Sequence, residues 1–495
     1  MSGSSVRRTK AIALVVALVA GVVAPASAEI PYDSYTYDWW GFPTPAPHAY
    51  VPAGTLSGPS LGLTPLTVPS DLFVAPDGRL YLVDSGNSRI LVLDTELRLE
   101  RVIDSFARDE GRDTFLNPQG VFVDERDHLY VADTGNSRVL EIGPDGRLVN
   151  DFGRPQTELL DPNAAWEPMK LVLDKARRLY VIARGVNKGL VELDSDGRFR
   201  GFMGANRVTP NALDYIWKLI ATDEQRARME RFVPTEYSNA TIDDDGYIFV
   251  TTASVGADAI TESLNPQDSM PIRKLNLTGT DVLRTLDDQW WPVGDVSIGI
   301  GFGAMRSQFT DVTLGEAETY ATLDRVRGRV FLYNSDGILL TAFGRIGDRV
   351  GNLRGPSSIT FMGDRLLVLD SILNQVVVFR PTEYGRLLVE ANEHYQERRY
   401  AESAAAWQRV SELNTNLEVA YAGIGKAQLR AGDYRGAMKS FKLAHVTSYY
   451  TKAFQLYRRD FVEANFGLMM GAVLASIAVA IVVRRIRRKG KQTNE

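Results

Sequence analysis

A chain of 495 residues exceeds one ordinary domain, and its 44% hydrophobic and 24% charged residues suit several packed cores. The absence of cysteine excludes disulfides, thiolate metal sites and cysteine nucleophiles. The net charge of −5 includes a tight positive block at the C-terminus, so the main body is more acidic still, which argues against nucleic acid as its partner.

Arg7, Arg8 and Lys10 precede an apolar run from Ala11 to Val23, and Ala26-Ser27-Ala28 forms a small-residue exit site. This order reads as a secretory signal peptide over residues 1–28, with an uncleaved anchor as the alternative. Its apolar run is short for a membrane span. Residues 29–68 follow, crowded with Tyr32, Tyr35, Tyr37, Trp39, Trp40 and Phe42.

From residue 69 the chain repeats at about fifty residues. Pro69–Val74, Leu80–Asp84 and Asn87-Ser88-Arg89-Ile90 recur as Pro118–Val123, Leu129–Asp133 and Asn136-Ser137-Arg138-Val139. Further copies start at Pro168, Tyr237, near Phe309 and at Pro356. Each unit reads as short alternating strands divided by Gly, Asp and Asn turns, the pattern of a propeller blade. Only three strands are visible in the sixth unit, and Tyr50–Ser57 is the expected fourth, since an unclosed ring would leave an open edge.

The units resemble NHL repeats. The resemblance rests on Asp84-Ser-Gly-Asn87-Ser-Arg89 and Asp133-Thr-Gly-Asn136-Ser-Arg138, where Gly and Asn suit positive φ and the Asp can pair with the Arg across the turn. Asp324 and Arg329 keep that spacing in the fifth unit. The third departs at Ala183 and Lys188, and the sixth sets Asp370 opposite Gln375. These turn residues are expected to be structural.

Insertions at 205–233, 255–269 and 287–306 interrupt the propeller (69–383), and strand direction places all three on the face of the second-to-third-strand turns. That face is the expected binding surface. The first-strand starts, Asp71, Gly120, Lys170, Asn239, Asp311 and Ser358, should surround the mouth of the central channel there. Asp71, Asn239 and Asp311 supply two carboxylates and an amide, which makes calcium the alternative to no cofactor. Some propeller enzymes of this kind, lactonase-like hydrolases among them, place a metal at that point. Histidine is scarce: His48 and His128 are the only two in this region, so neither a histidine-ligated zinc lyase nor a Ser-His-Asp triad is expected. The acidic run Asp243-Asp244-Asp245-Gly246 occupies a hairpin and reads as a solvated turn. Trp290 and Trp291, in an insertion, suit stacking on a sugar ring, so carbohydrate is a possible ligand.

Over 384–465, Tyr400, Ser403, Trp407 and Val410 stand 34 residues before Tyr434, Ala437, Phe441 and Ala444, which together with Gly425 and Gly432 resembles a pair of tetratricopeptide repeats. Phe466 to Val483 is an 18-residue uncharged stretch, a candidate transmembrane helix; Arg484, Arg485, Arg487, Arg488, Lys489 and Lys491 in the tail (484–495) should keep that end cytoplasmic. The expected fold is mainly β with α: a six-bladed β-propeller, a TPR-like α-hairpin array and one transmembrane helix. The expected role is an extracytoplasmic, single-pass binding or scaffold protein with a protein partner in or at the membrane. A calcium-dependent lactonase-like or lyase-like enzyme is the rival.

Overall fold

The computed structural model describes residues 30–38, 40–109, 111–160, 165–186, 188–204, 236–252, 271–283, 294–295 and 307–492. The segment read as a signal peptide therefore lies outside the described residues, as do Trp39, Trp290, Trp291 and all of the three insertions except Gly294 and Asp295.

The chain forms a six-bladed β-propeller followed by a helical region. The inner strands are Asp71–Val74, Gly120–Val123, Glu167–Leu173, Tyr237–Ile242, Phe309–Leu314 and Pro356–Met362, each opening an antiparallel meander. Alternating apolar residues fill the gaps between adjacent sheets; Val83, Ile90 and Val92 of the first blade meet Val121, Val131 and Leu140 of the second. The fourth blade has three strands among the described residues.

The sixth blade is completed from the other end of the chain. Tyr50–Ser57 pairs antiparallel with Gln375–Pro381, from Ser57 opposite Gln375 to Tyr50 opposite Pro381. Tyr32 donates its hydroxyl to the Tyr50 carbonyl at 3.0 Å, and the Tyr50 ring stacks on Phe343 at 5.3 Å.

Two additions are not foreshadowed by the repeat. Tyr35–Tyr37 and Pro43–Pro45 extend the fifth blade to six strands, which buries Tyr35 and Tyr37 and leaves Trp40 and Phe42 exposed. A hairpin of Ser105–Arg108 and Gly111–Thr114 sits between the first two blades in sequence.

The repeat turns work differently from the expectation. Ser88 and Ser137, at φ 51° and 55°, take the left-handed conformation rather than Gly or Asn. Gly86 and Gly135 serve close approach instead: a Cβ there would lie 2.7 Å from the Thr67 carbonyl and 2.4 Å from that of Leu116. Asp84 accepts from Thr67 N (2.7 Å), Asn87 Nδ2 (2.8 Å) and Arg89 Nε (2.7 Å). Asp133 repeats this with Leu116 N, Asn136 and Arg138. Each Asp thus pins the connection entering its blade. In the fifth blade the expected ion pair does not form. Asp324 is filled by Ser307 Oγ (2.7 Å), Gln308 N (3.1 Å) and Val326 N (2.9 Å), and Arg329 turns to Asp295 and the Tyr35 hydroxyl. In the sixth, Asp370 accepts four backbone N–H groups, from Arg354, Gly355, Ile372 and Leu373.

Five helices follow: α1 (Glu383–Gln396), α2 (Tyr400–Leu413), α3 (Glu418–Arg430), α4 (Tyr434–Leu443) and α5 (Thr447–Gln492). They pack consecutively, with Trp407 against Gly423 and Phe441 against Gly425, where a Cβ would come within 2.4 and 2.7 Å of the rings. α1 is seated on the closing strand. Thr382 caps it, donating to the His48 carbonyl (2.6 Å) and accepting from Gly385 N (3.2 Å), and a Cβ on Gly385 would lie 2.1 Å from the Ala49 carbonyl. α5 runs unbroken from its packing on α4 into the apolar stretch. That stretch is long and apolar enough to cross a membrane and has none of its apolar window buried in protein.

Asp133→Ala, which strands buried N–H donors, is expected to cost roughly 2–4 kcal/mol, read as a fall in the thermal unfolding midpoint of the full chain. Arg329→Ala should spare the Asp324 turn but loosen the Tyr35 strand, read as earlier proteolytic cleavage near Tyr37.

Candidate functional site

The structure brings Asp71, Lys170, Asn239, Asp311 and Ser358 into one buried network at the propeller axis. Lys170 Nζ is ion-paired with Asp71 Oδ1. Ser358 Oγ lies 2.7 Å from Asp311 Oδ2 and 3.2 Å from Asp71 Oδ1, so its single proton serves one carboxylate at a time, and it accepts from Leu72 N at 3.1 Å. Asn239 Nδ2 donates to Asp311, which also accepts from Val312 N and Ile359 N, both at 2.7 Å. Asp71 Oδ2 accepts from Val121 N at 3.0 Å. These bonds cross from blade to blade: the first inner strand is tied to the second, third and sixth, and the fifth to the fourth and sixth.

Burial raises the Asp311 carboxyl to about 7; the nearby Asp71 charge adds to the rise, while Lys170 and the Ser358 and Ile359 donors oppose it.

Calcium does not fit these residues as they stand. Asp71 is already matched by an ammonium, Asp311 by four donors, and the Asn239 carbonyl oxygen accepts from Ala240 N at 2.6 Å. Among the described residues no three His, Asp or Glu side chains converge as a metal site.

Two cavities adjoin this network, and Asp71, Lys170, Asn239 and Asp311 themselves line the first. The central channel, about 760 Å³, is walled by all six inner strands and reaches the turns at Asp124–Arg126, Lys175–Arg177 and Asp243–Gly246. Beside it a cleft of about 1080 Å³ separates blades four and five from the helices. The propeller contributes Asp243, Tyr247, Glu318 and Asp336, and the helices contribute Tyr395, Trp407, Lys426 and Tyr449. Lys426 bridges the two sides: its ammonium is paired with Asp336 and lies 5.1 Å from the Tyr449 ring centroid. Lys274 pairs with Asp243 at 3.0 Å and covers Tyr247 and Phe249. The turn facing α1 carries Ala317 and Glu318 at φ 54° and 55°, a left-handed pair without glycine, and packs against that helix.

Sequence reasoning did not reach this cleft, because its walls come from three separate stretches of chain, within 242–283, 314–338 and 392–449, and no short spacing marks it. It also missed Glu141, fully buried and held by His128 Nδ1 (2.7 Å), Asn150 Nδ2 (2.6 Å) and Arg177. Burial opposes its ionisation, but the hydrogen bonds and the Arg177 charge prevail and hold its carboxyl below the usual range. The signal was present: Glu141 interrupts an apolar strand where the first blade has Val92.

Residues 115–141 match the family model described as NHL repeat. No curated protein matches the chain. Solved structures with a similar fold include a streptogramin B lyase (10% identity, TM-score 0.39, covering 71% of this chain and 98% of that one). A catalytically inactive virginiamycin B lyase from Staphylococcus aureus with Quinupristin (11%, 0.38, 63% and 80%) and a putative gluconolactonase (14%, 0.39, 68% and 94%) are also similar.

The folded chain holds a proton on Asp311 up to about pH 7 that the unfolded chain releases near 4. The stability this group contributes is therefore complete below pH 4 and lost as pH rises towards 7. Asp311→Asn should lower the unfolding midpoint more at pH 5 than at pH 8; equal losses would contradict the raised carboxyl.

Proposed function

We propose that the chain is a membrane-anchored binding or scaffold protein, held by residues 466–483 with its body outside the cytoplasm, that takes a segment of a membrane-associated protein partner into the cleft between propeller and helices. The observation that carries this reading is the cleft itself. It is about 1080 Å³, lined by aromatic side chains and spanned by the Lys426–Asp336 pair, and it lies between two modules fixed to one another. Resemblance to NHL and tetratricopeptide repeats, both commonly interaction modules, points the same way. Continuity of α5 from the helical packing into the apolar stretch supports an anchor that restricts orientation, which suits a partner in the same membrane.

The rival reading, a calcium-dependent lactonase-like or lyase-like enzyme, would draw on the strand-start residues. Their mutual pairing weighs against it, since each candidate ligand already has a protein partner. A carbohydrate ligand would rest on Trp290 and Trp291, outside the described residues.

The chain has no cysteine of its own, so single cysteines report cleanly. A photo-crosslinker attached at Gln396, beside the cleft, should couple to one defined protein in native membranes, and the same group at Asp145, in a turn of the second blade, should not. Equal yields of the same product from both positions would count against the cleft. A cysteine at Trp40 should react with an impermeant maleimide in intact cells; protection until lysis would reverse the proposed orientation.

A further inference from the structure

The cleft between propeller and helices has a sign. Five carboxylates and three cations line it, and the carboxylates, Asp243, Asp244, Asp245, Glu318 and Asp336, all belong to the propeller wall. Two of the cations are already committed within the protein: Lys274 pairs with Asp243 at 3.0 Å, and Lys426 pairs with Asp336. The third, Arg430 of α3, meets the Tyr395 side chain of α1. Among the described residues no cation is paired with Asp244, Asp245 or Glu318, and all three are exposed. The lining is therefore negative, and the excess lies on one wall.

The two committed lysines show what that wall receives. Each ammonium has both a propeller carboxylate and an aromatic ring beside it. Lys274 Nζ lies 4.5 Å from the Tyr247 ring centroid and 5.0 Å from that of Phe249, and Lys426 Nζ lies 5.1 Å from that of Tyr449. Lys426 reaches Asp336 from α3, outside the propeller, and its side chain is only 10% exposed there. It is an internal example of a basic side chain brought to the propeller wall by another element. A carboxylate and a ring face together select a cation over a neutral or anionic group. At about 1080 Å³ the cleft exceeds the roughly 300–1,000 Å³ of small-ligand pockets, which gives room for a short stretch of chain and none for a folded domain.

We propose that the segment the cleft takes is basic: an extended stretch of the partner whose lysine or arginine side chains meet Asp244, Asp245 and Glu318. This rests on the reading of the cleft as the partner's seat, and adds the chemistry that selects the partner. An acidic segment would meet three uncompensated carboxylates, so the same charges that draw one class of partner repel the other. The carboxylates are exposed, so the attraction weakens as salt is raised.

The test compares two triple variants of the full chain in detergent, each removing the same charge. One carries Asp244→Asn, Asp245→Asn and Glu318→Gln in the cleft; the control carries Glu96→Gln, Asp145→Asn and Asp196→Asn in turns of the first three blades. The probes are a fluorescent lysine-containing Gly/Ser peptide, its glutamate counterpart, and spermine. The lysine peptide should bind saturably and more tightly than either other probe. It should lose about tenfold in affinity in the cleft variant and less than about twofold in the control. Equal losses in both variants, or a glutamate peptide or spermine that binds as well as the lysine peptide, would overturn the proposal. In native membranes the product crosslinked from Gln396 should fall in the cleft variant. An undiminished product would reject the basic segment and leave the cleft as the partner's seat, whereas no product from the otherwise unaltered chain would reject both.

Discussion

One strand holds this structure together. Tyr50–Ser57 closes the ring by pairing with Gln375–Pro381, and the chain leaves that pair directly into α1. Closure removes the edges that an open array of six sheets would expose. The same few residues also seat the helices: Ala49 accepts from Thr382 N at 2.9 Å, and its carbonyl leaves no room for a side chain at position 385. Ring closure and helix placement are therefore one contact, and a change that frees the strand frees the helices with it. The aromatic layer of Tyr32, Tyr50, Phe343 and Phe379 beneath the clasp secures it with apolar area.

The architecture was legible in the sequence because propeller strands carry their own period and each blade repeats its neighbour. Counting three strands in the sixth unit was enough to require a fourth from elsewhere. The turns were legible only in part. Where the Asp is present, in the first, second, fifth and sixth blades, it accepts backbone N–H groups of the incoming connection, with or without a facing Arg. The Arg varies because it competes for whichever acceptor is left. Asp324 is filled by Ser307, Gln308 and Val326, so Arg329 finds Asp295, whose carboxylate is held below its ordinary range, against burial, by the Tyr35 and Tyr37 hydroxyls and by Arg329 and Arg327. Spacing along the chain cannot say which of two carboxylates has a free lone pair. That depends on loops whose positions come from tertiary packing.

The axis shows the same limit in sharper form. Alignment of the repeats located its polar residues, since each occupies the same place in its blade. It could not say whether those residues face a ligand or one another. The structure has them satisfy backbone groups of adjacent inner strands: Val121 N on Asp71, Ile359 N on Asp311, Leu72 N on Ser358. Polar groups buried where strands converge must find partners, and the nearest unsatisfied donors belong to the next blade. The convergence thus makes them staples between blades, and Gly120, which looks like a missing ligand in the alignment, is where the third inner strand comes closest: a Cβ there would lie 2.4 Å from the Met169 carbonyl.

The cleft and the long helix are linked through Tyr449. It lies in the first turn of α5, stacks on Phe441 at 5.4 Å and lies under the Lys426 ammonium that pairs with Asp336 of the propeller. α5 is 46 residues long in all, about 69 Å at helical rise, and its apolar stretch begins about 28 Å from its start. A helix of that length without a break transmits tilt rather than absorbing it. A change in the angle of its distal half would displace Tyr449, and Tyr449 cannot move without disturbing the ion pair that spans the cleft. The geometry of the cleft and the orientation of the helix are therefore not independent variables.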